Sequence, residues 1–351
     1  MREALRGYTP KSLCLSSLEF NVCIDCNFLV SPGTRLGDQA LISYNAAVSQ
    51  KTMENRVRHA TMYLTFALHY GVEILRPTVT DACLFQQYLA NSLKHPVSRR
   101  CYTSGASIWI AERGGDPQTL VSPQAKRVAK GAENLNPHTP SPAPALTPHD
   151  LISACEYLDQ ALSGPVVKAA MCIGFFSFLR SSNLLSPSVM LWRGPHTLLR
   201  KDISSGQHGL LLVIRSSKTI KKGTLPTILA LPRIPGSIAC PAKAWDSYID
   251  RVPGSPDDPA FITPMGTPLT PGQMAVVLQA ALHAKGCPYA LQVTMHSLRR
   301  GGAQAALLAN CPKEDIARHG TWRSQSGMKT YLPNNSSFRV ADKLSALFAH
   351  K

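Results

Sequence analysis

The sequence predicts a mainly α-helical protein with one small β-sheet, divided into two domains. Apolar residues follow helical spacing over residues 38–114 and again after residue 147. Two short apolar runs in the second half have the length and composition of paired strands. Five prolines fall within residues 136–148, which excludes a helix or a central strand there. A chain of 351 residues that is 44% hydrophobic can form a core in each domain.

These features give four regions along the chain. Residues 1–37 show no clear periodicity and are predicted to be an N-terminal arm. Residues 38–133 form a helical domain, and residues 134–148 form a proline-rich, semi-rigid linker. Residues 149–351 form the second domain, which contains the predicted sheet.

The first domain is predicted to contain three helices with polar N-caps. Thr52, Thr80 and Ser98 are the expected caps, because each stands at the start of an apolar stripe with helical spacing. Gly71 is expected to end the first of these helices. Five basic residues lie along the helices and not in a block: Arg56, Arg58, Lys94, Arg99 and Arg100.

The second domain opens with a helix-start signature at Thr147, followed by Pro148 and Asp150. A buried helix over residues 166–179 is predicted to lead directly to Arg180. Residues 209–215 and 225–231 are predicted to be two strands of a hairpin-like pair, joined by a basic turn. Another capping box follows at Thr270.

Two more helix starts are predicted nearer the C-terminus, close to His296 and Pro312. After them, residues 338–348 carry apolar side chains at helical spacing, which predicts a short amphipathic helix.

The charge of the chain favours a polyanionic partner. Lys and Arg number 37 against 21 Asp and Glu, which gives a formal net charge of +16. A folded protein this basic suits DNA or RNA, although a merely basic soluble protein is the alternative. The N-terminus lacks a signal-like apolar segment, and no apolar stretch reaches the length of a membrane span. We therefore expect a soluble, intracellular protein.

The ten cysteines show no regular framework, which favours reduced thiols. Cys23 and Cys26 form a single CxxC motif, but no second ligand pair follows nearby. The sequence therefore predicts no metal ion and no cofactor.

Four pieces of the second domain carry side chains that fit one mechanism. Arg180 follows an apolar helix, where an arginine is commonly a surface residue. Lys218 lies in the basic turn, where it shares its position with Lys221 and Lys222 and where solvated lysines are common. Neither residue is diagnostic alone.

The other two pieces lie further along the chain. His296 and Arg299 are three residues apart, so both can face one anion from one turn of a helix. The glycines at 301 and 302 allow a close backbone approach. Trp322 and Tyr331 are nine residues apart, and each alone is more often a core aromatic.

Together and in this order, these residues resemble the catalytic domain of the tyrosine recombinases and phage-type integrases. That family has an Arg, a Lys on a β-turn, an HxxR motif, a His or Trp, and a Tyr nine residues later. The HSLRRGG and GTWRS segments resemble most closely the eukaryotic mobile-element recombinases of the DIRS and crypton type. The resemblance covers residues 38–350. It implies a helical core-binding (SAM-like) domain that binds DNA and a catalytic domain of the DNA breaking-rejoining fold.

The resemblance implies six catalytic residues: Arg180, Lys218, His296, Arg299, Trp322 and Tyr331. In the family, the tyrosine attacks DNA to give a 3′-phosphotyrosyl intermediate without a metal ion. The two arginines bind the phosphate oxygens, and the lysine protonates the leaving 5′-oxygen. The histidine and tryptophan contact the phosphate, and the histidine also assists proton movement at the tyrosine.

One position departs from the family pattern. Many members have a carboxylate three residues after the first arginine, where this chain has Asn183. An asparagine can still form hydrogen bonds, so we interpret it as a tolerated variation.

Two alternatives to a recombinase stay open. The type IB topoisomerases use the same intermediate, although the two-domain layout favours a recombinase. A domesticated, catalytically silent DNA-binding protein of the same fold is the second, and Asn183 is the only residue in its favour.

The resemblance also predicts partners and location. The partner is double-stranded DNA, on which a homotetramer assembles at paired sites, with the helix over residues 338–348 docking onto a neighbouring protomer. The location is the nucleus if the host is eukaryotic.

Overall fold

The computed structural model describes residues 35–139, 142–190, 197–217 and 225–322. The chain divides into two compact units between Pro140 and Ser141, within the predicted linker region. Three predicted features lie outside the described residues, namely most of the arm with its CxxC motif, the helix over residues 338–348, and the candidate residues Lys218 and Tyr331. None of the helices in the described part of the chain combines the length and the hydropathy that a membrane span requires.

The first unit is a bundle of α-helices. Its helices are α1 (Arg35–Ala46), α2 (Gln50–Tyr70), α3 (Val79–Ser92), α4 (Pro96–Ala111) and α5 (Pro123–Leu135). Aromatic rings of α2 and α3 form the core, with the Phe66 and Phe85 centroids 5.1 Å apart and Tyr63 edge-on to Phe85 at 5.3 Å. Helix α5 was not predicted from the sequence, and it begins where the Ser122 hydroxyl accepts a hydrogen bond from the Ala125 amide.

The predicted caps of α2 and α3 are wrong, because each helix begins earlier than expected. Ser49 caps α2, and Thr52 lies in the first turn, where its amide donates to the Ser49 hydroxyl. Thr78, and not Thr80, caps α3, because only Thr78 can form the reciprocal capping box with Asp81. The predicted end of α2 at Gly71 is confirmed, since that residue adopts φ of 67°.

The predicted cap of α4 is also wrong. The helix begins at Pro96, after His95, and Ser98 lies inside the first turn. Proline starts a helix readily because its fixed φ is helical and the missing N–H would have had no helical partner.

Two of the five basic residues predicted along these helices make part-buried contacts within the unit. Arg99 is 7% exposed, and its Nε donates to the Leu93 carbonyl at 2.7 Å, where it satisfies the C-terminal end of α3. Arg56 pairs with Glu112 at 3.2 Å. Both contacts join different segments of the bundle.

The second unit combines seven helices with a small sheet in the part of the chain that is described. The helices are α6 (Pro148–Leu158), α7 (Gly164–Ser177), α8 (Ser181–Leu184), α9 (Pro241–Arg251), α10 (Pro271–Ala284), α11 (Met295–Leu308) and α12 (Lys313–His319). The strands are β1 (Ile203–Gly206), β2 (Gly209–Ile214) and β3 (Thr227–Pro232).

The sheet is antiparallel with the order β1-β2-β3. In its register, Leu212 of β2 lies opposite Ile203 of β1 and Leu229 of β3. The pairing of β2 with β3 confirms the two predicted strands, whereas β1 was not predicted. Alternate residues of β2, at 210, 212 and 214, are buried against the helices.

The helix starts of this unit are largely as predicted. Thr147 and Asp150 form a capping box at α6, and Thr270 forms one with Gln273 at α10. The predicted end of the buried helix is wrong. Helix α7 stops at Ser177, because Phe178 adopts a left-handed conformation with φ of 51°. Arg180 therefore does not end α7 but precedes α8.

The end of the predicted linker belongs to the second unit. Leu146 is fully buried, and its amide donates to the Ser297 carbonyl of α11 at 3.1 Å. An added Cβ on Gly301 would lie 1.9 Å from the Leu146 carbonyl oxygen. The close backbone approach predicted for this glycine is thus to the linker, whose last residues are packed and not extended in solvent.

Gly301→Ala should destabilise the protein. A methyl group cannot fit against the fixed Leu146 carbonyl, so we expect a loss of about 1–3 kcal/mol in the free energy of unfolding. Urea denaturation of the full chain measures this loss. The matched control is Gly131→Ala in α5, where no atom lies within 4 Å and alanine favours the helix by up to about 1 kcal/mol. Equal stability of the two variants would contradict the packing described here.

Candidate active site

Helix α11 places His296 and Arg299 one turn apart. The helix begins at Met295 and is capped by Thr294, whose hydroxyl accepts a hydrogen bond from the His296 amide, so the histidine lies in the first turn. His296 keeps solvent-exposed surface, whereas Arg299 is only 1% exposed. The two side chains therefore leave the same helix but differ in burial, and their spacing in the sequence does not predict that difference.

Three arginines lie close to the His296 imidazole. Loss of water around the ring lowers the pKa of His296 from its usual value of 6.5, and the positive charges of Arg299, Arg180 and Arg300 lower it further. The structure therefore brings Arg180, from the segment after α7, to the start of α11. The lowered pKa favours the uncharged imidazole, which has one nitrogen that can donate and one that can accept a hydrogen bond.

Arg180 is the most available cation of this cluster. Its side chain is partly exposed, and no carboxylate or carbonyl in the described ranges holds its guanidinium. A partly buried arginine close to other positive charges is electrostatically unfavourable unless an anion neutralises it. The surroundings of Arg180 are therefore those of an anion-binding group.

Arg299 has a different environment from the one expected for an open phosphate ligand. One terminal nitrogen donates to the Phe178 carbonyl and the other donates to the Gly320 carbonyl at 2.8 Å. The guanidinium also stacks on the Trp322 ring, 3.9 Å from its centroid. This buried side chain joins the end of α7 to the end of α12.

The two carbonyls that Arg299 binds belong to left-handed turns. Phe178 has φ of 51° and Thr321, which follows Gly320, has φ of 55°. Such conformations cost roughly 1–2 kcal/mol each for residues with a side chain. The two turns lead into Arg180 and Trp322, so the Arg299 hydrogen bonds stabilise the backbone before both candidate residues.

Trp322 packs in a small apolar cluster and is 9% exposed. Its ring lies so close to Gly320 that an added Cβ there would be 1.8 Å from the indole. A glycine two residues before the tryptophan is therefore required for this ring position.

Two residues near the site were missed by the sequence analysis. Arg300 adds positive charge beside His296. It is the second arginine of the HSLRRGG segment, so its place next to Arg299 in the sequence could have indicated it. His319 lies with its Nε2 2.8 Å from the Phe176 carbonyl oxygen and its ring against Phe178. The sequence carries no signal for His319, because its partners are distant along the chain.

Asn183 is buried and forms a specific hydrogen bond. It is 3% exposed, and its side-chain nitrogen donates to the Ser216 carbonyl at 2.7 Å. Ser216 stands just after β2 and two residues before Lys218. The expectation that this asparagine can serve as a hydrogen-bonding group is confirmed.

The described residues thus bring together Arg180, His296, Arg299 and Trp322, while the placement of Lys218 and Tyr331 stays a prediction. In the part of the chain that the structure covers, no group of three or more His, Cys, Asp or Glu residues could hold a metal ion.

No protein-family model and no curated protein matches the sequence. Solved structures do match. The integrase of the Tn1549 transposon, in complex with transposon right end DNA, gives a TM-score of 0.60 at 13% identity over 88% of this chain and 97% of that one. A lambda integrase dimer bound to a COC′ core site gives 0.56 at 14% identity over 86% and 95%. XerH site-specific recombinase bound to palindromic difH substrate gives 0.53 at 15% identity over 76% and 72%.

These matches confirm the predicted fold class. A mainly helical chain with a three-stranded antiparallel sheet aligns with integrases and recombinases over most of its length.

Proposed function

We propose that this chain, which has the fold of the tyrosine recombinases, cuts and rejoins DNA through a 3′-phosphotyrosyl intermediate at Tyr331. The observation that carries the proposal is the position of the partly exposed Arg180 guanidinium, which no carboxylate in the described ranges neutralises, beside His296 and two further arginines. A net charge of +16 supports DNA as the polyanion.

The arginine cluster suits phosphoryl transfer. Negative charge builds on the non-bridging oxygens of the phosphodiester in the transition state, and guanidinium groups bind such oxygens through charge-assisted hydrogen bonds. In this role Arg180 contacts the phosphate directly. Arg299 holds the two turns that lead into Arg180 and Trp322.

The remaining residues move protons. The Tyr331 oxygen attacks phosphorus as the bond to the 5′-oxygen breaks, and a neutral His296 can accept the tyrosine proton. Lys218 supplies a proton to the leaving 5′-oxygen. Trp322 shapes the site by stacking on Arg299. No metal ion takes part in these steps.

The biological role that we propose is site-specific or integrative recombination of a mobile element. The Tn1549 transposon integrase and lambda integrase are among the proteins with this fold, and one similar structure is a lambda integrase tetramer bound to a Holliday junction. We propose the same assembly here, with residues 338–348 docking onto a neighbouring protomer. In a eukaryotic host the protein would act in the nucleus.

The rival is a catalytically silent DNA-binding protein of this fold. Asn183 was the feature in its favour, but the asparagine has a defined structural partner in Ser216. This contact gives the asparagine a structural role, so its presence does not by itself favour the rival.

Covalent capture tests the proposal. The full-length protein first selects DNA duplexes from a random pool. The selected duplexes are then prepared with a nick near each possible cleavage point. After cleavage the short fragment diffuses away, so the cut strand cannot be rejoined. We expect a protein–DNA adduct that survives denaturation and forms equally in EDTA, because the donors are side chains. Selection of DNA without any adduct would support the silent binding protein, and loss of the adduct in EDTA would contradict the metal-free mechanism.

A further inference from the structure

The C-terminal end of α7 is held by side chains from two other helices. The Phe176 carbonyl oxygen lies 2.8 Å from Nε2 of His319, which is the last residue of α12. The Phe178 carbonyl accepts a hydrogen bond from Arg299 of α11. Among the described residues, no main-chain N–H donates to either carbonyl. Carbonyls at the end of a helix need partners from outside it, so His319 and Arg299 serve as side-chain caps of α7.

Helix α11 approaches the same end of α7 at close range. An added Cβ on Gly302 would lie 2.0 Å from the Phe175 carbonyl oxygen and 2.6 Å from the Phe178 ring. The end of α7 is therefore in contact with α11 on one side and with the end of α12 through His319.

The turn at Phe178 sets the direction in which the chain leaves α7. Phe178 has φ of 51°, a conformation that costs roughly 1–2 kcal/mol for a residue with a side chain. Both Phe178 and the next residue, Leu179, are buried. Arg180 follows directly, so the position of its side chain depends on the contacts that keep Phe178 in this conformation.

His319 makes two contacts with this segment. Its ring lies edge-on to the Phe178 ring, with the centroids 4.8 Å apart and the planes at 68°. Its Nε2 must carry a hydrogen, because the Phe176 carbonyl can accept a hydrogen bond but cannot donate one. Position 319 therefore supplies both a donor and an aromatic ring to the turn.

We propose that His319 is a positioning residue for Arg180. It stabilises the turn at Phe178 and so keeps the Arg180 guanidinium near His296, where the scissile phosphate is proposed to bind. In this role His319 acts through Arg180 and not on the DNA. The inference rests on the proposed function, since it assumes that Arg180 neutralises the phosphate during cleavage.

The test compares two substitutions of His319 that have similar length. His319→Gln keeps a side-chain N–H that can donate to the Phe176 carbonyl, whereas His319→Met has no donor. Methionine packs well against aromatic rings, so it removes the hydrogen bond with little loss of packing. We expect His319→Met to slow adduct formation on the nicked duplex by about tenfold to a hundredfold, because small displacements of catalytic groups have effects of this size. His319→Gln should stay close to the wild-type rate.

A second substrate shows whether the effect passes through Arg180. It is the same nicked duplex with a methyl group in place of one non-bridging oxygen of the scissile phosphate, which removes the charge that Arg180 is proposed to neutralise. On this duplex His319→Met should cleave at nearly the rate of wild type on the same substrate. In an Arg180→Ala background, His319→Met should slow cleavage of the charged duplex little further, because substitutions that act through one group are not additive.

The matched control is His283→Met. His283 is an exposed histidine in the last turn of α10, as His319 is in the last turn of α12. We expect His283→Met to cleave both substrates at the wild-type rate. Thermal melting of every variant is recorded, and cleavage is measured below the lowest melting temperature.

The outcomes separate this inference from the proposed function. If wild type forms no adduct with the charged duplex, the proposed function is wrong and this inference fails with it. If wild type cleaves but His319→Met is as fast, or is equally slow on both substrates, only the positioning role is overturned.

Two further results would also overturn the positioning role alone. One is an equal loss of rate in His319→Gln and His319→Met, because the donor would then not matter. The other is failure of His319→Met to fold, because the residue would then be required for the fold as a whole and not for the position of Arg180.

Discussion

Tyr331→Phe should abolish covalent adduct formation while leaving DNA binding nearly unchanged. The substitution removes only the oxygen that attacks phosphorus, and removal of a nucleophile from a covalent enzyme typically costs on the order of 10⁴-fold or more. Denaturing gels of the nicked-substrate reaction measure the adduct, and gel shift measures binding. Binding should be retained because the arginines that we propose to contact the phosphate stay in place.

A second tyrosine provides the matched control. Tyr157→Phe removes a hydroxyl from α6, where the residue is 37% exposed, and should form the adduct at the wild-type rate. Peptide mapping of the wild-type adduct should place the DNA on the peptide that contains Tyr331. An adduct that persists in Tyr331→Phe, or that maps to another residue, would show that the nucleophile is misassigned.

Local sequence signals predicted the elements of the second unit well. Thr147 with Asp150, and Thr270 with Gln273, form the capping boxes that their spacing indicated, because both partners lie within one helical turn. Strands β2 and β3 were predictable because the apolar residues of each are contiguous in the sequence. In contrast, β1 reads ISSG and three of its four residues are exposed, so it carries no apolar signal.

The burial of a side chain and its contacts with residues distant along the chain could not be predicted from the spacing within a motif. The HxxR motif places His296 and Arg299 on one helix, but it does not show that Arg299 is buried under Trp322. That burial depends on the left-handed turn at Phe178, which no sequence signal marks, since phenylalanine rarely adopts that conformation. The bond from Asn183 to Ser216 likewise joins residues that only the folded sheet brings together.

The two arginines of the candidate site should therefore respond differently to mutation. Arg299→Ala removes hydrogen bonds to two main-chain carbonyls and should lower the free energy of unfolding by about 1–3 kcal/mol, in addition to any effect on cleavage. Its phenotype mixes stability and chemistry, so it is a poor test of phosphate binding.

Arg180→Ala should slow adduct formation by about a hundredfold or more with little change in the melting temperature. The rate falls because a preorganised donor to the transition state is lost. Stability is preserved because the Arg180 guanidinium bonds to no other group in the ranges that the structure describes. Arg180→Lys should restore little activity, since an ammonium group lacks the planar pair of donors that matches two phosphate oxygens. Single-turnover cleavage and thermal melting measure the two effects separately.

A substrate whose scissile phosphate is uncharged tests whether Arg180 neutralises the charge of that phosphate. Replacing one non-bridging oxygen of the scissile phosphate with a methyl group removes the negative charge that the guanidinium is proposed to neutralise. Cleavage by Arg180→Ala should then recover relative to wild type on the same substrate, whereas Arg299→Ala should keep its stability defect. If Arg180→Ala cleaves the charged substrate at the wild-type rate, the anion site is not the catalytic phosphate site. If it is slow on both substrates, Arg180 contributes by some means other than charge neutralisation.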